Sequence, residues 1–334
     1  MIAKRRLLAD ALYRLGVFDA WPKGAASRLV VFNYHRIHAG AVLPTPFDDG
    51  VFGPTAATFE AQVSWLARNC NVLSEQDMLD ALARHRWPRG RNVVITFDDA
   101  YHEQFTVAWP ILRQRSLPAI IFVPTQSVSE RRVGWWDQIA WLLKETARDR
   151  FVLDGTEYEV RAGREAVAAK LMARMKLEKA SATSGLVERL SAACGVPLPS
   201  QEQQDEQLMT WADLREIARQ GGTIGAHTHS HRVLATLSAD EQENELRTCR
   251  DILISAIGQP VRSLAYPVGN YTHFGRQTKV IARRLGYELG FSFCTGANPA
   301  RVMDPFDVRR SAAGLRDPTL GVFAAAASVP LVFS

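Results

Sequence analysis

Short apolar runs alternate along the chain with longer segments in which apolar residues recur every three to four positions. The apolar runs cover residues 29–34, 92–97, 119–123, 223–226, 263–266 and 289–293. Such continuous runs predict strands that are buried on both faces, as in a parallel sheet, and the periodic segments predict helices between them. The chain has no G-x-G-x-x-G or Walker motif, which disfavours the nucleotide-binding doubly wound folds. We therefore expect an α/β fold, a TIM-like (β/α) barrel that is distorted or incomplete.

One region breaks the alternation and predicts an insertion at about residues 138–207. A hairpin is expected where Asp154-Gly155 separates two alternating segments, and helices are expected over 164–177 and 185–193. Outside this region, Ser74, Thr210 and Ser238 each precede an acidic residue by three positions, which predicts capped helix starts. The predicted organisation is an N-terminal segment over 1–28 and a barrel over 29–334 that carries the insertion on its working rim.

The N-terminal segment is basic and amphipathic, with Leu7, Leu8, Ala11, Leu12 and Leu15 on one side of a predicted helix. It lacks the long apolar core and the cleavage site of a recognisable signal peptide. Two interpretations remain open: the helix lies on the inner face of the membrane, or it packs on its own domain. The expected location is therefore cytoplasmic, or peripheral on the inner membrane face.

The composition indicates a folded globular protein and disfavours nucleic-acid binding and a disulfide framework. Of the 334 residues, 47% are hydrophobic, which is enough for a full core. The net charge of +5 is too small, without a basic run interleaved with aromatic residues, to indicate nucleic-acid binding. The four cysteines are scattered, as expected of reduced thiols rather than of a disulfide framework.

Adjacent carboxylates and a histidine cluster form the candidate chemistry. Asp98 and Asp99 directly follow the apolar run at 92–97, where parallel strands of α/β folds place their working residues. Two like charges side by side are costly unless a cation compensates them. His227 and His231 are spaced so that one helical turn would aim both imidazoles at one metal, with His229 pointing away. The alternatives are an Asp-rich turn and a solvated histidine cluster.

The motifs Thr96-Phe-Asp-Asp-Ala100 and His227-Thr-His-Ser-His231 together resemble those of the polysaccharide deacetylase family, the NodB-homology or carbohydrate esterase 4 group. Leu264-Ala-Tyr-Pro-Val-Gly269 is similar to its third motif. Asn33-Tyr-His-Arg36 and Thr210-Trp211 resemble the branch that acts on poly-N-acetylglucosamine-type exopolysaccharides. The resemblance covers about residues 29–125 and 208–312, and it implies a barrel fold and a metal-dependent deacetylase.

The resemblance also implies roles for individual residues. Asp99, His227 and His231 would hold a divalent metal, zinc by preference with cobalt, nickel or iron as alternatives, and Asp98 would be the general base. His35 would be the general acid, with His273 as its rival. Arg310, with Arg309 as rival, would steady Asp98. The remaining expected contacts with the sugar come from Tyr266, Pro267 and the backbone N–H of Val268, and from Trp135 and Trp136, whereas core packing is favoured for Trp211.

Two departures from the family pattern bear on this prediction. Ala100 stands where the family has glycine, and it would strain the turn if that position needs a positive φ. Ala265 stands where many members have the arginine that steadies the catalytic aspartate, so another arginine must replace it.

We expect metal-dependent N-deacetylation of a GlcNAc-containing polysaccharide or glycolipid, with an N-acetylated glycan or lipid-linked sugar as the partner. The alternatives are a non-catalytic glycan-binding or scaffold protein on the same fold and a hydrolase of other non-peptide C–N bonds. A closed pocket rather than an open groove would favour a small amide. The sequence does not determine the metal, the glycan or the oligomeric state.

Overall fold

The computed structural model describes residues 2–20, 28–42, 44–161, 163–179, 185–301, 303–313 and 319–328. Within them the strands are β1 Arg28–Tyr34, β2 Arg36–His38, β3 Phe52–Thr55, β4 Asn71–Val72, β5 Asn92–Asp98, β6 Ile120–Val123, β7 Arg150–Leu153, β8 Thr156–Glu159, β9 Thr223–Ala226, β10 Ser263–Ala265, β11 Leu289–Phe291, β12 Asn298–Pro299 and β13 Ser311–Ala312.

The helices lie between and beside these strands. They are α1 Ile2–Arg14, α2 Val17–Ala20, α3 Ala56–Asn69, α4 Glu75–Ala83, α5 Trp109–Arg113, α6 Thr125–Glu130, α7 Trp135–Glu145, α8 Arg164–Leu177, α9 Leu186–Cys194, α10 Gln201–Asp205, α11 Trp211–Arg219, α12 Ala239–Ile257, α13 Arg276–Arg284 and α14 Leu320–Ser328. The predicted capping boxes at Ser74, Thr210 and Ser238 are all formed. Pro110 sits in the first turn of α5, which follows a π-helical turn over Gln104–Ala108.

The main sheet has the strand order β11-β10-β9-β6-β5-β1-β12, with β4 added to β5 and β13 added to β1. The neighbours from β11 to β1 are parallel, whereas β12 is antiparallel to β1. The segment 308–312 lies between the two ends of this sheet. Val308 bridges to Phe291 of β11, and β13 pairs with β1. This curled sheet confirms the predicted distorted barrel.

Two-residue alternation along the strands separates the inside of the barrel from its outside. Leu29 and Val31 of β1 pack with Val94 of β5 in an interior cluster. Val30 and Phe32 belong to the larger cluster beneath the surrounding helices. Neighbouring residues of a strand point to opposite faces of the sheet. Because both faces are buried here, residues of both parities are apolar, and the sequence shows an unbroken apolar run.

The segment from α7 to α10 has a hydrophobic cluster of its own. Phe151 and Tyr158 stack across the β7–β8 hairpin, and Val167 and Leu171 of α8 are buried against them. The hairpin turns at Asp154-Gly155, as predicted. The domain boundaries stay a prediction.

The N-terminal helix packs against the C-terminal helix α14 and buries Ala9, and Asp10 accepts a hydrogen bond from Thr319. Leu7 and Leu15 remain 71% and 77% exposed. In the described part of the chain, the helices are all too short or too polar to cross a bilayer. Peripheral membrane association stays a prediction that binding to anionic lipid vesicles would test.

The turn after β5 adopts the left-handed conformation in which Ala100 was expected to be strained. The φ angles of Asp99 and Ala100 are 74° and 57°. A left-handed conformation costs a residue other than glycine about 1–2 kcal/mol. Ala100 is fully buried, so this strain is held in place by the surrounding packing.

We predict that Ala100→Gly destabilises the protein less than Ala81→Gly. Both substitutions remove a buried methyl group, worth about 0.8 kcal/mol. Only the first relieves left-handed strain, so its net effect should be near zero, whereas Ala81 lies in the right-handed helix α4 and gains no such offset. Urea unfolding of the two variants measures the difference, and equal destabilisation would show that Ala100 is not strained.

Candidate active site

Asp98 faces the inside of the barrel because an even number of positions separates it from the interior residues of β5. Val94 is part of the interior cluster, and Asp98 follows four residues later on the same face. Between them, Thr96 pairs with Asn33 of β1 and donates a hydrogen bond to its side-chain oxygen at 2.7 Å. The polar end of the barrel interior therefore begins where the apolar layers stop.

A bidentate ion pair with Arg310 holds the Asp98 carboxylate. Nη1 and Nη2 of Arg310 donate to its two oxygens at 2.7 and 2.9 Å, and Asn33 donates to Oδ2 at 3.0 Å. Burial favours the neutral acid, but Arg310, with His227 and His35, outweighs it and lowers the pKa of Asp98 far below its usual value. Arg310 is 1% exposed, whereas its rival Arg309 is exposed. The geometry thus favours Arg310 as the arginine that replaces the one missing at Ala265.

Asp99 lies beside this pair and has no comparable partner. It is 4% exposed, and its Oδ1 has no hydrogen-bond partner among the described residues. Burial, and then the neighbouring charge of Asp98, raise the pKa of Asp99 well above its usual value. An ionised Asp99 therefore requires a cation nearby.

Two imidazoles surround that oxygen. His227 Nε2 and His231 Nε2 lie 3.5 and 3.4 Å from Asp99 Oδ1, and the three ligand atoms are all within 4.8 Å of one another. Burial lowers the pKa of both histidines, which favours the neutral, metal-binding form. His227 Nδ1 bonds to the Ala265 carbonyl oxygen at 2.8 Å, and this contact directs Nε2 toward Asp99.

The donor set fits a divalent transition metal. Ligands bound at about 2.0–2.1 Å in tetrahedral geometry are separated by about 3.4 Å. The two oxygen–nitrogen distances at Asp99 match this separation. The orphaned oxygen, the neutral imidazoles and the spacing therefore agree with a two-His, one-carboxylate centre.

The expectation that one helical turn aligns the two histidines was wrong. Residues 227–231 form a loop after β9, with Thr228 and His231 at φ of 62° and 55°. Reversal of the chain, rather than i,i+4 spacing on a helix, returns His231 to the side of His227. His229 points elsewhere, as expected, and its Nδ1 contacts the Thr125 hydroxyl at 2.9 Å.

His35 stands at the same mouth, just past the end of β1. Its Nε2 is 3.8 Å from Asp98 Oδ2 and 3.9 Å from Asp99 Oδ2, and its side chain is 20% exposed. Burial lowers the pKa of His35 to about 4, despite the opposing effect of Asp98. The nearby Asp98 carboxylate raises this pKa, but by less than desolvation lowers it. The rival His273 is buried, and its Nδ1 accepts the backbone N–H of Asn270.

These side chains line an open cavity of about 500 Å³. Trp135 and Trp136 form part of its wall, and the Trp136 ring lies 4.3 Å from the ring of His231. A second cavity of about 600 Å³ adjoins it and shares Trp135 and His231. Trp211 instead packs against the main core, which agrees with the packing interpretation of that residue.

The third motif contributes a backbone N–H group to the cavity rather than a side-chain hydroxyl. Val268 lines the cavity with φ of 60°, an outlier for a β-branched residue, and its N–H has no partner in the hydrogen bonds of the described residues. Tyr266 is fully buried and donates its hydroxyl to the Phe306 carbonyl oxygen, and Pro267 is buried beside it. The Tyr266 hydroxyl is therefore engaged within the protein.

Two residues without a predicted role, Tyr101 and Asp137, join α7 to the turn after β5. The Trp136 indole N–H donates to the Tyr101 hydroxyl, which donates to Asp137, both at 2.7 Å. Burial raises the pKa of Asp137 to about 6. This chain of hydrogen bonds fixes the Trp136 ring over His231. The position of Tyr101, two residues after Asp99, was the available sequence signal.

Comparison with known proteins agrees with the resemblance seen in the motifs. The family model described as polysaccharide deacetylase matches residues 85–290. The provisionally named polysaccharide deacetylase YxkH of Bacillus subtilis (strain 168) is 21% identical over 281 residues, covering 84% of this chain and 70% of that protein.

Solved structures share the fold at low sequence identity. The deacetylase PplD of Streptococcus pyogenes, in complex with acetate, superimposes with a TM-score of 0.59 at 19% identity, covering 88% of this chain and 96% of PplD. IcaB from Ammonifex degensii superimposes with a TM-score of 0.57 at 20% identity, covering 92% of this chain and 100% of IcaB. With its two signature motifs joined at one barrel mouth and the family model matching most of the barrel, this chain belongs to the polysaccharide deacetylases, hydrolases that act on carbon–nitrogen bonds other than peptide bonds.

Proposed function

We propose that this protein is a metal-dependent N-deacetylase of a GlcNAc-containing polysaccharide or glycolipid. The observation that carries the proposal is the cluster of Asp99, His227 and His231 beside the Asp98–Arg310 pair, at the floor of an open cavity. The adjoining second cavity supports a substrate longer than one sugar, since an isolated small amide needs no extended groove.

The three clustered residues would hold the metal, with zinc the ion that the donor set suits best. A divalent ion in such a site polarises a carbonyl and lowers the pKa of a water to about 7. Asp98 Oδ2 faces the cluster and is proposed to accept the proton of the attacking water. Arg310 keeps that carboxylate ionised and fixed in position.

The other proposed roles belong to the cavity rim. The free N–H of Val268 would donate to the acetamide oxygen as negative charge develops there. Because its pKa is low, His35 would be neutral at first; its Nε2, 3.8 Å from Asp98 Oδ2, would take the water's proton from Asp98 and deliver it to the departing amine. Trp135 offers a flat apolar surface for a sugar ring.

We predict that Asp99→Ala, His227→Ala and His231→Ala each lose both bound metal and acetate release. Each substitution removes one of three ligand atoms, and binding of the metal should weaken by several kcal/mol. Metal content by mass spectrometry, together with acetate release from N-acetylated glycans, measures both effects. The matched control is His229→Ala, which lies in the same loop but contacts Thr125 and should keep metal and activity. A fully occupied His231→Ala protein would remove this assignment.

Asp98→Asn should keep the metal but lower turnover by roughly 10²–10⁴-fold, as expected for loss of a general base. The substitution also leaves Arg310 buried without its anion, a loss of about 3–5 kcal/mol in folding stability. The double variant Asp98→Asn/Arg310→Gln therefore serves as a second test in which no charge is stranded. Normal turnover by either folded, metal-loaded variant would contradict the role of Asp98.

His35→Ala should bind metal normally and lose turnover on acetamides much more than on an activated ester. An amine must be protonated to leave, whereas an activated alcohol leaves without a proton. Rates on an N-acetylated oligosaccharide and on 4-nitrophenyl acetate measure the contrast. His273→Ala is the control, because His273 bonds to the Asn270 backbone instead of facing Asp98. Equal losses on both substrates, or a selective loss in the control, would show that His35 is not the acid.

A further inference from the structure

Helix α8 brings a lysine from the inserted segment into the wall of the catalytic cavity. Lys176 lines that cavity together with Met172, one turn earlier on the same helix face. Val167 and Leu171 of the same helix are buried in the inserted segment's own cluster, so the helix has a fixed seat. The packing of α8 in the inserted segment's own cluster therefore fixes Lys176 in the wall of the catalytic cavity.

Lys176 lacks a hydrogen-bond or ion-pair partner within the described ranges. Burial lowers the pKa of Lys176, and the more distant charge of Asp48 partly opposes this effect. Asp48 itself accepts the N–H of Gly50. Asp48 lines the same cavity but does not form an ion pair with Lys176, so the half-buried ammonium group can accept a further anion.

The same cavity offers a second hydrogen-bond donor. Asn270 lines the same cavity, and its side-chain oxygen accepts hydrogen bonds from the N–H and the hydroxyl of Thr272 at 3.0 and 2.5 Å. The Asn270 NH₂ group is left as the donor available to a ligand. Lys176 and Asn270 line one cavity, and in agreement with this the pKa of His273, three residues after Asn270, is lowered by burial and then by the charge of Lys176.

A comparison of the two permanently charged basic side chains in the cavity wall also indicates that Lys176 is available to a ligand. The other basic side chain in its wall with a permanent charge, Arg310, is fully engaged by Asp98. A neutral N-acetylated sugar offers no anion to a free ammonium group, whereas a phosphoryl group attached to that sugar does.

Resting on the proposed function, we propose that Lys176 and the Asn270 NH₂ group form a subsite for a phosphoryl group that is covalently linked to the N-acetylated sugar. The substrate class is then a phosphorylated amino sugar, either a soluble sugar phosphate or a sugar joined to a lipid through phosphate. A lysine ammonium group binds phosphate as a point charge, and the amide NH₂ group adds a hydrogen-bond donor.

The test compares deacetylation of three compounds by the metal-loaded protein of 334 residues: the neutral methyl glycoside of GlcNAc, GlcNAc 1-phosphate, and its long-chain alkyl phosphodiester. In Lys176→Gln, KM for both phosphorylated compounds should rise by about tenfold or more, the size expected for losing one charge-assisted hydrogen bond. The effect on the neutral glycoside should be much smaller. Lys176→Arg should restore most of the loss, and the difference should shrink as salt is raised.

Lys170→Gln is the matched control, because Lys170 lies on the same helix but is exposed to solvent. Equal losses on neutral and phosphorylated compounds in Lys176→Gln, or no preference of the unmodified protein for phosphate, would overturn the subsite. A lower KM for the alkyl phosphodiester than for GlcNAc 1-phosphate, if it is still raised by Lys176→Gln, would identify the lipid-linked sugar as the source of the phosphate.

Calorimetric binding of GlcNAc 1-phosphate separates this inference from the proposed function. If none of the compounds releases acetate but binding still depends on Lys176, the subsite stands and the deacetylase assignment fails. If acetate is released while binding is indifferent to Lys176, the subsite alone is wrong.

Discussion

The need to compensate two adjacent buried carboxylates shapes the whole mouth of the barrel. Asp98 and Asp99 are 3% and 4% exposed, and their charges repel at the end of one strand. The protein compensates them unequally. Asp98 receives a bidentate guanidinium from Arg310, whereas Asp99 receives only neutral imidazoles and keeps an oxygen without a partner. The result is one carboxylate fixed as an anion and another that requires an external cation.

Closure of the barrel supplies the guanidinium. The segment 308–312 bridges to β11 through Val308 and to β1 through β13, so its interior-facing Arg310 lies next to β1 and β5. Its Nη1 also donates to Asn33, whose amide in turn donates to Asp98. The segment that closes the sheet therefore also supplies the side chain that fixes Asp98.

Backbone strain is concentrated at this mouth. Nine residues other than glycine have positive φ within the described ranges, and five of them belong to the turns that carry the site: Asp99, Ala100, Thr228, His231 and Val268. Each such conformation costs of order 1–3 kcal/mol and persists only where surrounding packing enforces it. Helix α7 contributes to that packing, because Trp136 is held over His231 by Tyr101 and Asp137.

The sequence by itself predicted most of the elements and the candidate catalytic residues. Unbroken apolar runs marked the parallel strands, capping residues marked helix starts, and the placement of Asp98, Asp99 and His227 directly after apolar runs put them at one edge of the sheet, since parallel strands share an edge. Tertiary structure alone decided between Arg310 and Arg309, because only pairing of segment 308–312 determines which side chain enters the barrel. It also decided that a left-handed loop, not a helix, joins His227 to His231. The place of Lys176 was equally beyond the sequence, since it depends on how the inserted segment packs around its own core, and no local pattern encodes a contact between elements so far apart in the chain.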